Sequence, residues 1–523
     1  MHCVIGSGPA GVACAKALLA RGASVLMLDA GIELENDRAK IVRELSGKKF
    51  ADWQPSQLSA IQDDLAATAK GIPVKTLFGS DFPYRETKEK IPWRGNGIGF
   101  QPSLAFGGFS NVWGAAILTY RDADISDWPI KASVLAQHYR AAAEIMGLAG
   151  RRDDLEEILP LYSENPNALQ LSRQAKSFLT HLEKHREQLR SCGWRFGQSR
   201  LAVRAVDSTD RKGCVYCGRC MTGCVYGCIY NSADTIRELE RDHNFQYQRD
   251  VIVTKLREDF GKVFVEAFDR QTRAPLSFEA NHVYLAAGVI PTAQILLRSQ
   301  NAFDRTLTLR DSQYFLFPIL LARRTRDVKC EALHALSQIF LELNNRQISS
   351  RSVHLQIYTY NDIIAQAVSK SLGPAKFLAR PFVERLLIVM AYLHSDESAT
   401  VEMQLKRDGE KDFLQLDAKL NPRTKPIVKK VLRELLKQFR ALGGIPVTPM
   451  LQIAEPGRGF HVGGSIPMRA QPKDFESDLL GRPHGWQNVH AVDASVLPSI
   501  PATTITFSVM ANAHRIGSET AKL

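Results

Sequence analysis

A short apolar stretch, His2 to Ile5, runs straight into Gly6-Ser7-Gly8-Pro9-Ala10-Gly11, and an Ala- and Leu-rich stretch from Val12 to Arg21 follows. A second apolar stretch, Ser24 to Leu28, ends on Asp29. Strand, glycine turn, helix, strand and acid in this order are the arrangement of a dinucleotide-binding βαβ unit. Gly6 permits the tight turn, Gly8 lets the backbone approach a pyrophosphate, and Gly11 lets helix pack on strand. The amino terminus of the helix that follows faces the anion. Asp29, 23 residues after Gly6, can accept bonds from a ribose diol. NAD and FAD use the same turn, so the rest of the chain must choose between them.

The remaining length leaves room for more than this unit. At 523 residues, the chain suits two ordinary domains or one cofactor domain with a substrate cap. Hydrophobic residues make up 45% and charged residues 23%, which argues for a globular chain over a disordered one. The net charge of +12 favours anionic partners. Its basic residues are scattered through helical stretches such as Lys425 to Arg440, without a recognition motif, so nucleic acid is not an expected partner. The first residues run into a strand instead of a signal peptide, and the chain is expected to begin at or just after Met1. Phe315 to Ala322 and Leu386 to Leu393 are far too short to span a bilayer, which predicts a soluble or peripheral protein. Five of nine cysteines crowd into Cys214 to Cys228, unlike a spread disulfide framework, and a cytoplasmic location is expected.

Four further segments carry a resemblance. Phe106-Gly107-Gly108-Phe109-Ser110-Asn111-Val112-Trp113-Gly114 places small residues where backbone could lie against a planar cofactor. The stretch His282 to Ala286 leads into Ala287-Gly288-Val289-Ile290-Pro291, another strand, glycine turn and helix. Asn488 to Pro498 reads as a strand ending in a turn around Asp493 and Ala494, before a helix from Thr506 to Lys522. His461-Val462-Gly463-Gly464-Ser465-Ile466-Pro467-Met468 completes the set. Together they resemble the glucose-methanol-choline (GMC) family of FAD-dependent oxidoreductases, particularly its bacterial dehydrogenase branch.

That resemblance implies an α/β fold, with a discontinuous Rossmann-like FAD-binding domain and a sheet-backed α+β substrate-binding domain. The FAD domain would take 1–35, 95–130, 205–300 and 455–523. The cap would take 131–200 and 300–455, with 36–94 as a connecting, flavin-covering segment. FAD would be held by Gly6, Gly8, Pro9, Ala10, Gly11, Asp29, Gly107, Gly108, Ser110, Asn111, Val253, Ala287, Gly288, Asp493, Ala494 and Thr504. Val253 stands where the family's strand touches adenine. His461 matches the family's active-site histidine, and a neutral imidazole can take a hydroxyl proton while hydride leaves the same carbon. Where the family usually has a second His or Asn, this chain has Thr504. A threonine hydroxyl can hydrogen-bond a substrate oxygen but is no base at neutral pH, so proton abstraction is expected to rest on His461 with Thr504 beside it.

Cys214, Cys217, Cys220 and Cys224 repeat the thiolate spacing of bacterial ferredoxin runs, except that Val225 stands where those runs have proline. The loop is similar to that of FAD-dependent sugar dehydrogenases with an iron-sulfur centre. Three readings stay open: an iron-sulfur cluster that carries electrons from FAD, structural zinc, or thiols that only brace the loop. The first argues for a dehydrogenase with an electron acceptor yet to be identified. The last argues for an oxidase that returns electrons to oxygen.

In the cap, Val401 to Leu405 and Leu414 to Leu420 alternate as half-buried strands. Pro426 to Leu442 shows helical spacing of Val428, Val431, Leu432, Leu435, Leu436 and Phe439, ending at Gly443-Gly444. Tyr358, Tyr360 and Asn361 are candidates to bond a polyhydroxyl substrate, against a plain role in sheet packing. Ala375 to Met390 mixes basic and apolar residues that could meet a membrane or a lipid-linked substrate. Ala521-Lys522-Leu523 resembles a peroxisomal address, against the frayed end of a helix. The expected activity is oxidation of a small hydroxylated molecule, an alcohol, sugar or glycoconjugate. The rivals are a flavin oxidase, a non-catalytic electron-transfer flavoprotein and a ketone desaturase.

Overall fold

The structure is a computed structural model that describes residues 1–62, 74–164, 166–209, 211–373 and 379–520. The tail Ala521-Lys522-Leu523 and the first residues of the Ala375 to Met390 stretch lie outside the described residues.

The opening unit folds as its glycines require. Strands His2–Ile5 and Val25–Leu28 pair in parallel, His2 opposite Val25 and Ile5 opposite Leu28, with helix Pro9–Leu19 between them. Pro9 at the helix start costs no hydrogen bond there and presets φ. Three strands from distant parts of the chain complete a parallel sheet in the order Val489–Ala491, His282–Leu285, His2–Ile5, Val25–Leu28, Phe245–Gln248. The far end of the chain therefore returns beside the first strand. Its last helix, Thr506–Glu519, lies against Pro9–Leu19 at close range: a Cβ at Gly517 would sit 2.9 Å from the Cys14 carbonyl oxygen. A large residue at Gly517 would force these two helices apart.

A second sheet backs the other half of the molecule. Its antiparallel order is Gly444–Pro446, Tyr314–Leu321, Leu386–Leu393, Val353–Tyr358, Ile339–Leu343, Trp194–Gln198. Alternate side chains go to opposite faces. One face sends Leu341, Leu355, Val389 and Phe317 into an apolar core with Phe178 and Leu182 of helix Arg173–Lys184 and Val428 and Leu432 of helix Thr424–Lys437. Each such side chain contributes ~1.5–3 kcal/mol by leaving water. The opposite face carries Glu342, His354, Gln356 and Tyr392, all buried. The stretch read as one helix to Leu442 breaks at Gln438, so Leu436 and Phe439 are exposed while Val428, Val431, Leu432 and Leu435 are buried. Gly443 then closes the turn at φ +64.

The expected strands around 401 and 414 form as Thr400–Asp408 and Lys411–Lys419, but in a separate sheet. Its order, Val462–Gly463, Thr306–Asp311, Thr400–Asp408, Lys411–Lys419, Trp93–Asn96, brings the segment after His461 against the cap. Among the described residues no helix is long and apolar enough to cross a membrane.

Candidate active site

The glycine turn builds a cradle by excluding side chains. A Cβ at Gly6 would lie 2.4 Å from the Ala286 carbonyl oxygen, and one at Gly11 would lie 2.0 Å from the Gly6 oxygen. A Cβ at Gly8 or Gly288 would meet nothing within 4 Å, which leaves their backbone open to a ligand. One cavity of about 180 Å³ is lined by Gly6, Gly8, Pro9, Ala10, Asp29, Gly108, Ala287, Gly288, Asp493 and Ala494. Ten of the residues expected to hold the cofactor thus meet on it. Gly108 packs its backbone directly against the turn, its Cβ position 3.3 Å from the Gly8 Cα. Val253 lines an adjoining cavity of about 60 Å³ that shares Gly6, Asp29 and Ala287.

Two buried carboxylates organise this cradle. Asp29 accepts from the Ser7 amide at 3.1 Å, the Ser7 hydroxyl at 2.7 Å, the Gly31 amide at 3.0 Å and the Tyr247 hydroxyl at 3.1 Å. Burial pushes its carboxyl up to about 6 against those hydrogen bonds. Asp493 accepts from the Gly288 amide at 2.9 Å and the Thr292 hydroxyl at 2.6 Å, tying the last strand to the second glycine turn. Gly107 donates its amide to the Ser7 hydroxyl at 2.9 Å. Ser110 and Asn111 lie elsewhere, on a separate cavity of about 570 Å³ that also meets Lys75, Cys220 and Cys224.

His461 stands between Phe460 and Val462, which both line the cradle cavity. Its ring stacks on Tyr392 of the second sheet, centroids 4.7 Å apart, and its Nδ1 has no hydrogen-bond partner. Burial first, and the His354 imidazole second, pull its imidazole down to about 3, so it is neutral near pH 7. Thr504 is buried and its hydroxyl accepts from the Leu118 amide at 3.0 Å, which engages it with backbone. Tyr358 donates to Gln356 at 2.9 Å, Tyr360 donates to Asp362 at 3.0 Å, and Asn361 caps helix Asp362–Leu372 through the Ile364 amide. Tyr360 and Asn361 thus serve the helix start. Residue-by-residue reading missed Glu342, His354 and Tyr392. Their signal was present, since polar His354 and Gln356 alternate with apolar Leu355 and Ile357.

The cysteine loop is closely packed. Cys214, Cys217, Cys220, Cys224 and Cys228 do line one cavity, but of only about 20 Å³, room for about one water. All nine cysteines are free thiols, and among the described residues no group of three or more His, Cys, Asp or Glu is placed to hold a metal ion. The thiols spend their bonding on backbone. Cys220 accepts from the Ala335 amide at 3.4 Å, Cys224 accepts from the Cys228 amide at 3.2 Å, and Cys228 donates to the Lys212 carbonyl at 3.5 Å. Burial pushes Cys214 up to about 11 and raises Cys217 and Cys220. Cys224 is drawn down, chiefly by its hydrogen bonding with Cys228, against its own burial. As the side chains stand, the expected cluster on Cys214, Cys217, Cys220 and Cys224 is not supported.

Residues 447–513, which contain His461, Asp493 and Thr504, match the family model described as GMC oxidoreductase. No curated protein sequence matches the chain. Among solved structures it is similar to pyridoxine 4-oxidase from Mesorbium loti, at 15% identity and a TM-score of 0.60, over 99% of this chain and 98% of that one. It is likewise similar to a formate oxidase, at 13% identity and a TM-score of 0.60, over 99% and 97% of the two chains. The carboxy-terminal region thus matches the GMC oxidoreductase family model, and the chain shares a mixed α/β fold along almost its whole length with both oxidases.

Proposed function

We propose that the chain is an FAD-dependent oxidoreductase that oxidises a CH–OH group of a small molecule, an alcohol, sugar or glycoconjugate, with His461 as the proton acceptor. One observation carries this reading: a neutral imidazole is held between two residues that line the dinucleotide cradle. The cradle suits FAD. Open backbone at Gly8 and the start of helix Pro9–Leu19 suit a pyrophosphate, Asp29 suits a ribose, and Val253 stands in the adjoining cavity for the adenine. Bound FAD supplies the acceptor for the hydride of the alcohol carbon. The chain's part is to hold the hydroxyl, exclude water and take the proton on His461.

The two similar structures are oxidases by description, which makes oxygen the first electron acceptor to test. The test is the absorbance of purified protein under anaerobic conditions with a panel of alcohols and sugars, pyridoxine among them. Flavin bands that bleach with a panel member and return on aeration, with peroxide formed, are expected. His461→Ala should keep the bands and slow bleaching by ~10²-fold or more. Bands that no panel member bleaches, or an unchanged rate in His461→Ala, would overturn the reading.

A further inference from the structure

The positive charge of the chain is concentrated on one face of the cap. Residues 419–440 hold eight Lys and Arg and one carboxylate, Glu434, and so contribute +7 of the net +12. All eight cations are exposed, while Glu434 is buried. Lys437 pairs with Glu434 at 3.6 Å and Lys419 with Glu402 at 3.3 Å. Among the described residues the other six pair with no carboxylate. On helix Thr424–Lys437, ~21 Å long, Lys425, Lys429, Arg433 and Leu436 follow at intervals of four, four and three residues, which puts them in one outward row. Like charges at this spacing repel. The helix tolerates the row because its other face, Val428, Val431, Leu432 and Leu435, is held in the apolar core. An anionic partner would relieve the repulsion.

At the start of that helix the row opens into a groove of about 1160 Å³, where Lys419 and Arg423 meet Arg310, Arg346 and Arg351. Asp396 is the one carboxylate among its described lining residues. Arg351 takes that carboxylate at 2.7 Å, and Arg310 stays 3.8 Å from it without a hydrogen bond. Lys430 donates to the Gln347 carbonyl at 3.1 Å, which joins the helix to the turn that carries Arg346 and Arg351. Apolar side chains stand among these cations. Leu420 is 74% exposed, Phe439 43% and Leu436 38%, and the Arg440 guanidinium lies over the Phe439 ring at 5.6 Å. A soluble polyanion needs the cations alone. Cations with exposed leucine and phenylalanine between them match the boundary of a bilayer, where charge meets headgroup phosphate and apolar side chains enter below it. The stretch whose composition suggested membrane contact, Ala375 to Met390, runs instead into strand Leu386–Leu393 in the interior of the second sheet.

We infer that the face formed by residues 419–440 docks the protein on an anionic lipid surface. The groove takes a headgroup phosphate, the helix row lies along the charged plane, and Leu420, Leu436 and Phe439 enter the interface. This docking is independent of the CH–OH oxidation reading and stands or falls without it.

The test is co-sedimentation of the full chain with vesicles of equal parts phosphatidylcholine and phosphatidylglycerol, and with vesicles of phosphatidylcholine alone. Binding to the first and not to the second is expected, weakening as salt is raised. Lys425→Glu/Lys429→Glu/Arg433→Glu should lower partitioning by ~10²-fold or more with the melting temperature unchanged. Lys40→Glu/Arg151→Glu/Lys329→Glu makes the same change in net charge at scattered exposed positions, and should stay within about threefold of wild type. Leu436→Ser/Phe439→Ser should lose the part of the binding that survives high salt. In the wild-type chain, the mixed vesicles should slow modification of Lys425, Lys429 and Lys430 by acetic anhydride and leave Lys40 unchanged, which reads the face without any variant. No binding to the anionic vesicles, an equal loss in the scattered variant, or lysines left unprotected overturns the proposal. Binding that salt abolishes completely and that the serine variant leaves intact assigns the face to a soluble polyanion, and overturns it as well.

Discussion

The glycine turn at Gly6–Gly11 and the cysteine loop at Cys214–Cys228 both present themselves as spaced motifs, but the first opens on a cavity of about 180 Å³ and the second closes on one of about 20 Å³. A glycine motif specifies backbone. What it requires is that atoms be missing, and the 2.0 Å and 2.4 Å clashes that a Cβ would make at Gly11 and Gly6 show the requirement met. A thiolate motif specifies the aim of several side chains at once. The five cysteines reach one cavity, but the sulfurs of Cys220, Cys224 and Cys228 bond to the amides of Ala335 and Cys228 and the carbonyl of Lys212, and the space left holds about one water.

The comparison can be broken most severely at the turn. Gly6→Ala forces a Cβ onto the Ala286 carbonyl at a φ of +107, and is expected to cost more than ~3 kcal/mol and to abolish FAD retention. A purified variant with normal flavin bands would show that the cradle tolerates what its geometry forbids.

Next in size is the reactivity of Cys224. Because hydrogen bonds draw its thiol down while burial raises its neighbours, Cys224 is expected to be the most acidic thiol of the loop. Iodoacetamide should label Cys224 ahead of Cys214 and Cys217. Below about pH 6 the thiolate fraction, and with it the labelling rate, should fall roughly tenfold per pH unit. Peptide mass mapping that finds all three labelled alike would remove the distinction.

A smaller effect is expected from Cys220→Ala, which deletes a buried sulfur and its bond from Ala335. It should cost ~1–2 kcal/mol in denaturant unfolding while FAD content stays at wild-type level. The smallest effect is the most telling for the loop. Dialysis against a strong chelator should leave melting temperature and flavin spectrum unchanged, and elemental analysis should find no stoichiometric iron or zinc. Loss of metal with a fall in melting temperature would restore the ferredoxin-like reading.

Much of the cofactor half was legible residue by residue. Gly6, Gly8, Ala287, Gly288 and Asp493 come from three distant segments and line one cavity, because each belongs to a local strand–turn unit whose geometry its own residues dictate. Ser110 and Asn111 come from an equally recognisable segment but face a different cavity, since a loop's composition does not say which of its sides meets the ligand. The cap was legible as strands and a helix. It was not legible as a site, because Glu342, His354 and Tyr392 meet only through the register of three strands. Shifting any of these strands by one residue would turn its polar residue into the apolar core.

What the sequence determined by itself is therefore the cradle: a short stretch of chain carries its own turn geometry, and glycine is the only residue that lets the backbone close that far. What only the tertiary structure decided is which side chains meet beside it, His461 on Tyr392 and Tyr392 on His354, and which cysteines bond to backbone. Those outcomes depend on strand register and on competition for buried hydrogen bonds, and both are set by the packing of segments far apart in the chain.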